Sequence, residues 1–460
     1  MENCTINSFG SASHLFCMLM LPESETVTIC VLKFGEELLM DVQVSALGAI
    51  VGLIVAIFLI FKKVPPVYAL FSGALIGGLL GGATLVETVS LMNQGAQGIV
   101  TAVLRILSAG VLAGILIESG AASSIAQTII KKLGHSKALF ALALATMLLT
   151  AVGVFIDIAV ITVAPIAMAI AYKTNMSRTA ILLAMIGGGK AGNIISPNPN
   201  TIAVSEAFGV PLTNVMLAGV IPAVFAVVAT YFIAKRLVLK GSSISEKELS
   251  EETQSVPSFG KAIVAPLVAI VLLSLRPIAG SAIDPMIALP VGGIAGIVVM
   301  GKFSSITAYT ISGLNKMSGV AVLLLGTGTL AGIISNSALG EVLISGIETM
   351  GLPAYMLAPI SGIFMSAATA STTSGAAVAS SVFSQTLLKA GISNIGGAAM
   401  VHAGATVLDH LPHGSFFHAT AGSVTMDFRE RLRLISYESL IGLIITVIST
   451  LIFGVFNLFG

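Results

Sequence analysis

Apolar runs recur along most of this chain. Many reach roughly 18 to 20 residues, which as helix crosses about 30 Å of hydrocarbon. Hydrophobic residues make up 56% of the chain and charged residues 9%, whereas a soluble domain has about 25% charged residues. The net charge is +1, which offers no basic surface to a polyanion. The sequence therefore predicts an all-α polytopic membrane protein and excludes a soluble enzyme, a secreted disulfide domain and a nucleic-acid-binding protein.

The first 39 residues (1–39) differ from the remainder of the chain. They are polar and aperiodic, and they contain all three cysteines, Cys4, Cys17 and Cys30. No disulfide or thiolate metal site can therefore form after Cys30. We interpret 1–39 as a non-native or disordered extension, with the natural chain beginning at Met40. A short disordered tail of the natural chain is the alternative interpretation.

Helix breakers divide the apolar sequence into predicted spans and two longer segments. The longer segments, 138–171 and 354–389, have polar, small-residue centres at 155–159 and 371–375. That pattern is typical of a re-entrant hairpin, which returns to the side from which it started. The predicted spans are 44–61, 66–85, 98–118, 179–208, 215–234, 262–280, 285–301, 317–336, 396–424 and 437–457.

The distribution of Lys and Arg orients the spans, because cytoplasmic loops of membrane proteins are enriched in these residues. If 138–171 is a re-entrant hairpin, 17 of the 22 cations fall on the cytoplasmic side. Both termini then lie outside, and 235–261 is a cytoplasmic linker. The cations assigned to that side are Lys62, Lys63, Lys131, Lys132, Lys137, Lys173, Arg178, Lys235, Arg236, Lys240, Lys247, Lys261, Lys302, Lys316, Arg429, Arg431 and Arg433.

The two halves of the chain resemble each other in the order of their features. The sequence Leu-Ala-Gly-Ile at 112–115 recurs at 330–333, and Pro197 corresponds to Pro412. Each half has five predicted spans and one hairpin, so the second half enters the membrane inverted. Inverted repeats that bind substrate at broken helices are typical of transporters. The predicted repeats are 40–234 and 262–460.

Two predicted spans contain sequences that cannot continue a helix. The first is GGGKAGNIISPNPNTIA at 187–203, and the second is HAGATVLDHLPHGSFFHAT at 402–420. Proline interrupts helical hydrogen bonding. Irregular backbone at membrane depth is tolerated only where it lines a cavity or is covered by protein. Ionisable residues at this depth are costly and usually functional.

Several ionisable residues have competing interpretations. Lys190 either contacts substrate or pairs with an acid such as Asp409. The histidines of 402–420 are spaced by 8, 3 and 5 residues with no cysteine available, so no metal site is predicted. His402 and His418 are expected to be packing or interface residues. Arg105 is expected to be structural, and Glu206 and Asp284 are expected to be solvated loop acids.

The run HAGATVLDHLPHGSFFHATAGSV, followed by MDFRERLRLISYE, resembles the gluconate permease family of the ion transporter superfamily. The resemblance covers roughly Met40 to the end of the chain. It implies proton-coupled uptake of sugar acids such as gluconate, or of other small hydroxylated acids or D-serine. It also implies a homodimer in the bacterial inner membrane, with a scaffold and an elevator-type transport domain. Gluconate-type members tend to have a Pro-Pro-Thr-Pro-Gly-Pro-like run where this chain has Ser196 to Thr201, so a substrate class is implied rather than gluconate itself.

Under this interpretation the chain is a symporter of a small organic anion. Hairpin tips and half-helix N-termini can hold a carboxylate. No GxxxxGK[ST] motif is present, so the energy source is an ion gradient, of protons or of sodium, without a cofactor. The predicted substrate-binding residues are Asn198, Asn200, Thr201, Thr373, Ser374, His413, Ser415 and Lys190, and the predicted proton-coupling residues are Asp157, Asp409 and His410.

A cation/proton antiporter is the alternative, with sodium bound by backbone carbonyls near Asn193 and Asn198. An intramembrane enzyme is disfavoured because no nucleophile–base pair or metal triad is evident. The partners predicted for the chain are therefore a small organic anion and membrane lipid.

Overall fold

The computed structural model describes residues 43–134, 137–249, 256–279, 283–349 and 351–458. The predicted extension at 1–39 lies outside these residues. The described part is helical almost throughout, and its only β-type pairing is a single bridge between Val44 and Ser337.

The helices of the first half are α1 Ala46–Phe61, α2 Pro66–Leu80, α3 Leu85–Gln97, α4 Val100–Glu118, α5 Ala121–Leu133, α6 Ala138–Ala151, α7 Ile156–Thr174, α8 Arg178–Asn193, α9 Pro199–Ala207, α10 Leu212–Ala218 and α11 Val220–Arg236. Those of the second half are α12 Phe259–Ala262, α13 Val264–Ala279, α14 Pro285–Val299, α15 Ile306–Ser335, α16 Leu339–Thr349, α17 Leu357–Thr369, α18 Thr372–Lys389, α19 Asn394–Gly404, α20 Ser415–Ser423 and α21 Phe428–Thr450. Short 3₁₀ turns occur at Glu246–Glu248, Phe303–Ser305 and Ala354–Met356, and a π-helical turn occurs at Leu451–Val455.

Five helical segments of the described chain are long and apolar enough to cross a membrane. Six shorter apolar helices accompany them. The backbone groups of such helices bond within the helix, as hydrocarbon surroundings require. Many large apolar side chains are exposed on them. The five segments are Val100–Glu118, Ile156–Thr174, Leu212–Arg236, Phe303–Ser335 and Phe428–Val455.

Both sequences predicted as hairpins form two helices joined by a short turn at the polar centre. Helices α6 and α7 are joined at 152–155, where Gly153 has φ of +101°. Helices α17 and α18 are joined by Ala370 and Ser371, and the Ser371 hydroxyl accepts a hydrogen bond from the Ser374 N–H at 3.2 Å. By length alone α7, with 19 residues, could also cross the membrane. Its re-entrant course therefore remains a prediction.

The two predicted helix interruptions are confirmed. Helix α8 ends at Asn193 and α9 begins at Pro199, whereas α19 ends at Gly404 and α20 begins at Ser415. Proline has no N–H, so Pro199 fits the first turn of α9, where that group would have no partner within the helix. The second interruption is longer and includes Asp409, His410 and Pro412.

Helix α8 forms the centre of the first half, and all of its residues are buried. Gly188 packs directly against the Ala143 carbonyl of α6, and Gly192 packs against the Met147 carbonyl one turn further on. Small residues four apart allow helices to approach closely inside a membrane. This close approach fixes the position of Lys190, which lies on α8 between the two glycines and has no solvent-exposed surface.

Three cations assigned from the sequence to the cytoplasmic side lie within helices. The predicted span at 317–336 starts too late, because α15 begins at Ile306 and already contains Lys316. Arg431 is fully buried within α21, and Arg178 is buried at the start of α8. Sequence position alone does not distinguish a solvated cation from one that is paired inside the fold. The side of the membrane on which these three cations lie stays a prediction.

Candidate functional site

Asn198 bridges the interruption between α8 and α9. Its side-chain oxygen accepts hydrogen bonds from the N–H groups of Asn200 and Thr201 at 3.0 and 3.1 Å, as an N-cap residue does. The Thr201 hydroxyl donates to the same oxygen at 3.2 Å. The side-chain amide of Asn198 donates to the Asn193 carbonyl at 2.8 Å. These hydrogen bonds therefore fix Asn198 and Thr201 at the junction of α8 and α9.

Lys190 connects this half of the chain to the second interruption. Its ammonium donates to the Thr406 carbonyl at 2.5 Å and forms an ion pair with the Asp409 carboxylate. The Nδ1 atom of His410 lies 3.3 Å from the same ammonium. Both charged partners are buried, which makes an unpaired alternative costly.

His410 lies between the ion pair and helix α21. Its Nε2 atom is 3.0 Å from the Ile435 carbonyl and 3.2 Å from the Ser439 hydroxyl. Because the carbonyl can only accept, we assign the proton of the neutral ring to Nε2. Its Nδ1 atom is 2.9 Å from an Asp409 carboxylate oxygen. A neutral Nδ1 accepts from Lys190, whereas a protonated Nδ1 donates to Asp409. The ring thus has a defined position for one additional proton.

A second buried ion pair adjoins His410. Arg431 and Glu438 on α21 pair with each other, and a Glu438 oxygen lies 3.9 Å from His410 Nδ1. The Arg431 guanidinium also lies over the Phe417 ring, with its carbon 4.7 Å from the ring centroid. Together with Lys190 and Asp409, this gives two cations and two anions. The network is therefore neutral when His410 is neutral.

The turn between α17 and α18 contacts this network directly. The Thr372 hydroxyl donates to the second Asp409 oxygen at 2.5 Å. The next residue, Thr373, donates to the Asn200 side-chain oxygen at 2.5 Å. The beginning of α18 therefore contacts both helix interruptions, one from each half of the chain.

A cavity of about 580 Å³ opens beside the start of α18. Binding pockets for small molecules usually measure about 300–1,000 Å³. We call it the tip cavity, and the residues that line it include Pro65, Val67, Lys316, Ser371, Thr373 and Ser374.

The structure brings five of the eleven predicted site residues together in one network. Lys190, Asn200, Thr373, Asp409 and His410 are linked by the contacts described above. The other predicted residues lie around them rather than within the network, and these are Asn198, Thr201, Ser374, His413, Ser415 and Asp157.

Asp157, His413 and Ser415 lie at the edges of the arrangement. Asp157 is half-buried in the first turn of α7, where its side chain accepts from the Ile158 N–H at 2.9 Å. His413 is exposed, with its ring 5.4 Å from Phe61 and its Nε2 atom 3.3 Å from the Ala368 carbonyl. Ser415 begins α20 and is exposed.

Sequence reasoning missed several residues of the network. The predicted site includes Thr373 and Ser374 but not Thr372, and Arg431 is predicted only as a cation of the cytoplasmic side. Glu438 was not considered, although an acid within an apolar helix seven residues after an arginine is a recognisable signal.

A second cluster of charges was also misjudged. Arg105 of α4 pairs with Glu206 of α9 and with Asp284, which lies just before α14, at 2.5 Å. The interpretation of Glu206 and Asp284 as solvated loop acids was wrong, because both are paired with one guanidinium. A cavity of about 340 Å³ adjoins the three side chains. No group of three or more potential metal ligands occurs among the described residues.

A solved structure shares this fold. The fold is similar to that in a crystal structure of the YdaH transporter from Alcanivorax borkumensis, with a TM-score of 0.61 and 16% sequence identity. The similarity covers 80% of this chain and 87% of the other. The two chains share a fold, and the long apolar helices are those of an integral membrane protein.

The family follows from sequence comparison. Residues 44–456 match the GntP family permease, and the chain belongs to that family. It is 66% identical over 415 residues to a Haemophilus influenzae protein named an uncharacterized transporter, covering 90% of this chain and 99% of the other. The protein is therefore a transporter and not an enzyme.

More distant relatives have names that specify a substrate. A gluconate permease from Pseudomonas aeruginosa is 28% identical across 51% of this chain and 54% of its own length. A low-affinity gluconate transporter from Escherichia coli K12 is 26% identical, with the same coverage of both chains. These matches span about half the length of each gluconate relative.

Proposed function

We propose that this protein is a proton-coupled symporter of a small organic anion, a sugar acid of the gluconate type or a related hydroxy acid. The observation that carries the proposal is the buried network in which Lys190, Asp409 and His410 meet Thr372 at the start of α18. It links a titratable group to the segment that borders the tip cavity. The names of the gluconate relatives support the choice of substrate class.

Substrate binding is assigned to the start of α18 and the residues around it. Hydroxyl and amide groups of Asn200, Thr373 and Ser374 suit a polyhydroxylated acid, because each can donate or accept a hydrogen bond. The N-terminus of α18 has a partial positive charge that favours an anion. The size of the tip cavity is sufficient for a six-carbon acid.

Proton coupling is assigned to His410, acting through Asp409. When His410 Nδ1 takes up a proton, it can donate to Asp409 at 2.9 Å and compete with Lys190 for that carboxylate. The other Asp409 oxygen accepts from Thr372, so the change reaches the start of α18. A proton on His410 would thereby alter the segment that binds substrate.

Alternating access completes the proposal. In this proposal the protein is a homodimer in the bacterial inner membrane, with both termini outside. Each inverted repeat includes one re-entrant hairpin. Lys137 and Lys173, at the ends of α6 and α7 away from their turn, are both exposed. Single cysteines at these two positions should react only with reagent on the cytoplasmic side. Labelling from opposite sides would contradict the re-entrant course and the inverted repeat.

Transport of labelled gluconate into proteoliposomes tests the function itself. We expect uptake when the exterior is more acidic than the interior, and loss of that uptake with a protonophore. Excess unlabelled gluconate should compete, whereas sorbitol, which has similar hydroxyls but no carboxylate, should not. Absence of uptake for gluconate and for other sugar or hydroxy acids would overturn the proposal.

Sodium/proton antiport is the alternative outcome. It would be seen as sodium-dependent proton movement in the absence of any organic acid. The Asn193 oxygens that could bind sodium already accept hydrogen bonds from the Asn198 amide, which favours the symporter.

A further inference from the structure

Lys316 lies inside a helix and lines the tip cavity. It is in the third turn of α15, ten residues after Ile306, which places it about 15 Å along the helix axis. A lysine at that depth is costly unless it faces water, an anion or another partner. Its side chain is about one-third exposed and borders the cavity, where it can meet a ligand.

The described residues leave the Lys316 ammonium weakly paired. Its ion-pair partner, Glu118, lies 3.9 Å away, and both side chains are about one-third exposed, at 31% and 37%. The same Glu118 oxygen accepts a hydrogen bond from Ser312 at 2.7 Å. The Asp157 carboxylate interacts electrostatically with Lys316, but the two side chains do not form an ion pair in the part of the chain that the structure describes. An ammonium has three N–H donors, so it can also bind a further anionic ligand.

The same cavity contains hydroxyl groups from the start of α18. Ser371, Thr373 and Ser374 line it together with Lys316. The Ser374 hydroxyl forms no hydrogen bond to another described residue and is half-buried. A cation from α15 and hydroxyls from α18 thus share one cavity of about 580 Å³. This combination matches a molecule with a carboxylate at one end and hydroxyls along its length.

We propose that Lys316 binds the carboxylate of the transported acid in the tip cavity, while Thr373 and Ser374 contact its hydroxyls. The assignment rests on the proposed function and specifies which cation selects an acid over a neutral polyol. Glu118 holds the ammonium in the absence of substrate, and the substrate carboxylate replaces it. Lys316 is therefore a specificity-determining residue.

Thermal unfolding of the purified full-length protein tests this assignment independently of transport. A ligand that binds the native state raises the melting temperature according to its concentration and Kd. Gluconate and a panel of other sugar and hydroxy acids serve as probes, with sorbitol as the uncharged comparison. The variants are Lys316→Gln, Lys316→Arg and, as a control, Lys62→Gln, which removes an exposed lysine outside the cavity.

We expect the acid that stabilises the wild type to bind Lys316→Gln about 10- to 100-fold more weakly, as for loss of one charge-assisted hydrogen bond. Lys316→Arg should recover much of the affinity, and Lys62→Gln should match the wild type. Melting without ligand reports whether each variant is folded. Equal stabilisation of wild type and Lys316→Gln would overturn the assignment while leaving the proposed function intact.

The remaining outcomes are also decisive. Stabilisation by a hydroxy acid but not by gluconate, with loss in Lys316→Gln, would support Lys316 and change the substrate. Stabilisation by sorbitol as strong as that by an acid would contradict a role for Lys316 in selecting the carboxylate. If no acid in the panel stabilises the wild type, both the assignment and the proposed function are overturned.

Discussion

The Lys190 ammonium and the Asp409 carboxylate form an ion pair that joins the two halves of the chain. Lys190 lies on α8, just before the first helix interruption, and Asp409 lies within the second. Both are buried, and neither has another fully charged partner as close. The two interruptions predicted separately from the sequence therefore meet at one electrostatic contact.

Removing one member of this pair is expected to destabilise the protein more than removing both. Lys190→Met or Asp409→Asn leaves a buried charge without its partner, a change that typically costs about 3–5 kcal/mol. The double variant removes both charges and should melt closer to the wild type than either single variant does. Thermal melting in detergent checks this order. Additive losses in the double variant would contradict the pairing.

His410 is expected to separate proton coupling from substrate exchange. His410→Gln can still donate to the Ile435 carbonyl, but the amide cannot take up a proton as Nδ1 can. We expect uphill accumulation driven by a pH gradient to be lost and exchange between equal substrate pools to be retained. His418→Gln is the control, because His418 is exposed and its Nε2 atom lies 2.8 Å from the Pro412 carbonyl.

Transport by Asp409→Asn, compared with that by His410→Gln, shows whether Asp409 or His410 carries the coupled proton. If Asp409→Asn accumulates substrate with an unchanged pH dependence, Asp409 is not a proton site. If His410→Gln does so as well, the coupling assigned to this network is wrong. Loss of exchange in Asp409→Asn, recovered by Lys190→Met, would indicate a structural ion pair.

The sequence predicted where this network lies better than it predicted which residues form it. Clusters of proline and polar residues within apolar runs indicated both interruptions. Proline removes a helical hydrogen bond, and the freed polar groups need partners at membrane depth. Asp409 and His410 followed from their depth in the second run. The partners Thr372 and Glu438 did not, because they are brought into contact by packing between distant helices.

The surroundings of three cations could not be predicted from the sequence, for a physical reason. Lys316, Arg178 and Arg431 are all cations near the ends of apolar runs, and position in the sequence cannot show whether such a residue is solvated. In the structure Arg431 pairs with Glu438, Arg178 with Glu248, and Lys316 lines a cavity. Each lies where a specific partner or cavity compensates its burial.

Gly192 is expected to be intolerant of any side chain. A Cβ atom at this position would overlap the Met147 carbonyl and the Thr150 hydroxyl of α6. Overpacking of this kind typically costs about 1–3 kcal/mol, so Gly192→Ala should lower the melting temperature and disturb Lys190 two residues away. Gly260→Ala is the matched control, because its Cβ meets open space. Equal melting of both variants would contradict the close packing of α8 on α6.

The contact between Glu248 and Arg178 is expected to open in acid. Hydrogen bonds from the Arg178 guanidinium, then from the Ser245 N–H and hydroxyl, lower the pKa of Glu248 from about 4.5 to about 2. A carboxyl whose pKa is lowered by folding stabilises the folded contact above its unfolded pKa and loses that contribution as the pH falls. The contact should therefore be constant from pH 7 to pH 5 and weaken between about pH 4.5 and pH 2.

Hydrogen exchange of residues 242–249, corrected for the intrinsic effect of pH, measures this opening. Glu248→Gln should exchange faster at neutral pH and lose the acid transition. Glu246→Gln changes the same 3₁₀ turn but not the Arg178 contact, so it should behave as the wild type. An acid transition that persists in Glu248→Gln would assign it to another group.

Proton movement caused by substrate tests the proposed symport most directly. Proteoliposomes that enclose a pH-sensitive dye are prepared at equal internal and external pH, with a potassium ionophore to prevent a membrane potential. Addition of external gluconate should acidify the interior of vesicles containing the wild type, because each substrate molecule moves inward with at least one proton, and sorbitol should cause no change. Gluconate uptake without any internal acidification would contradict proton symport.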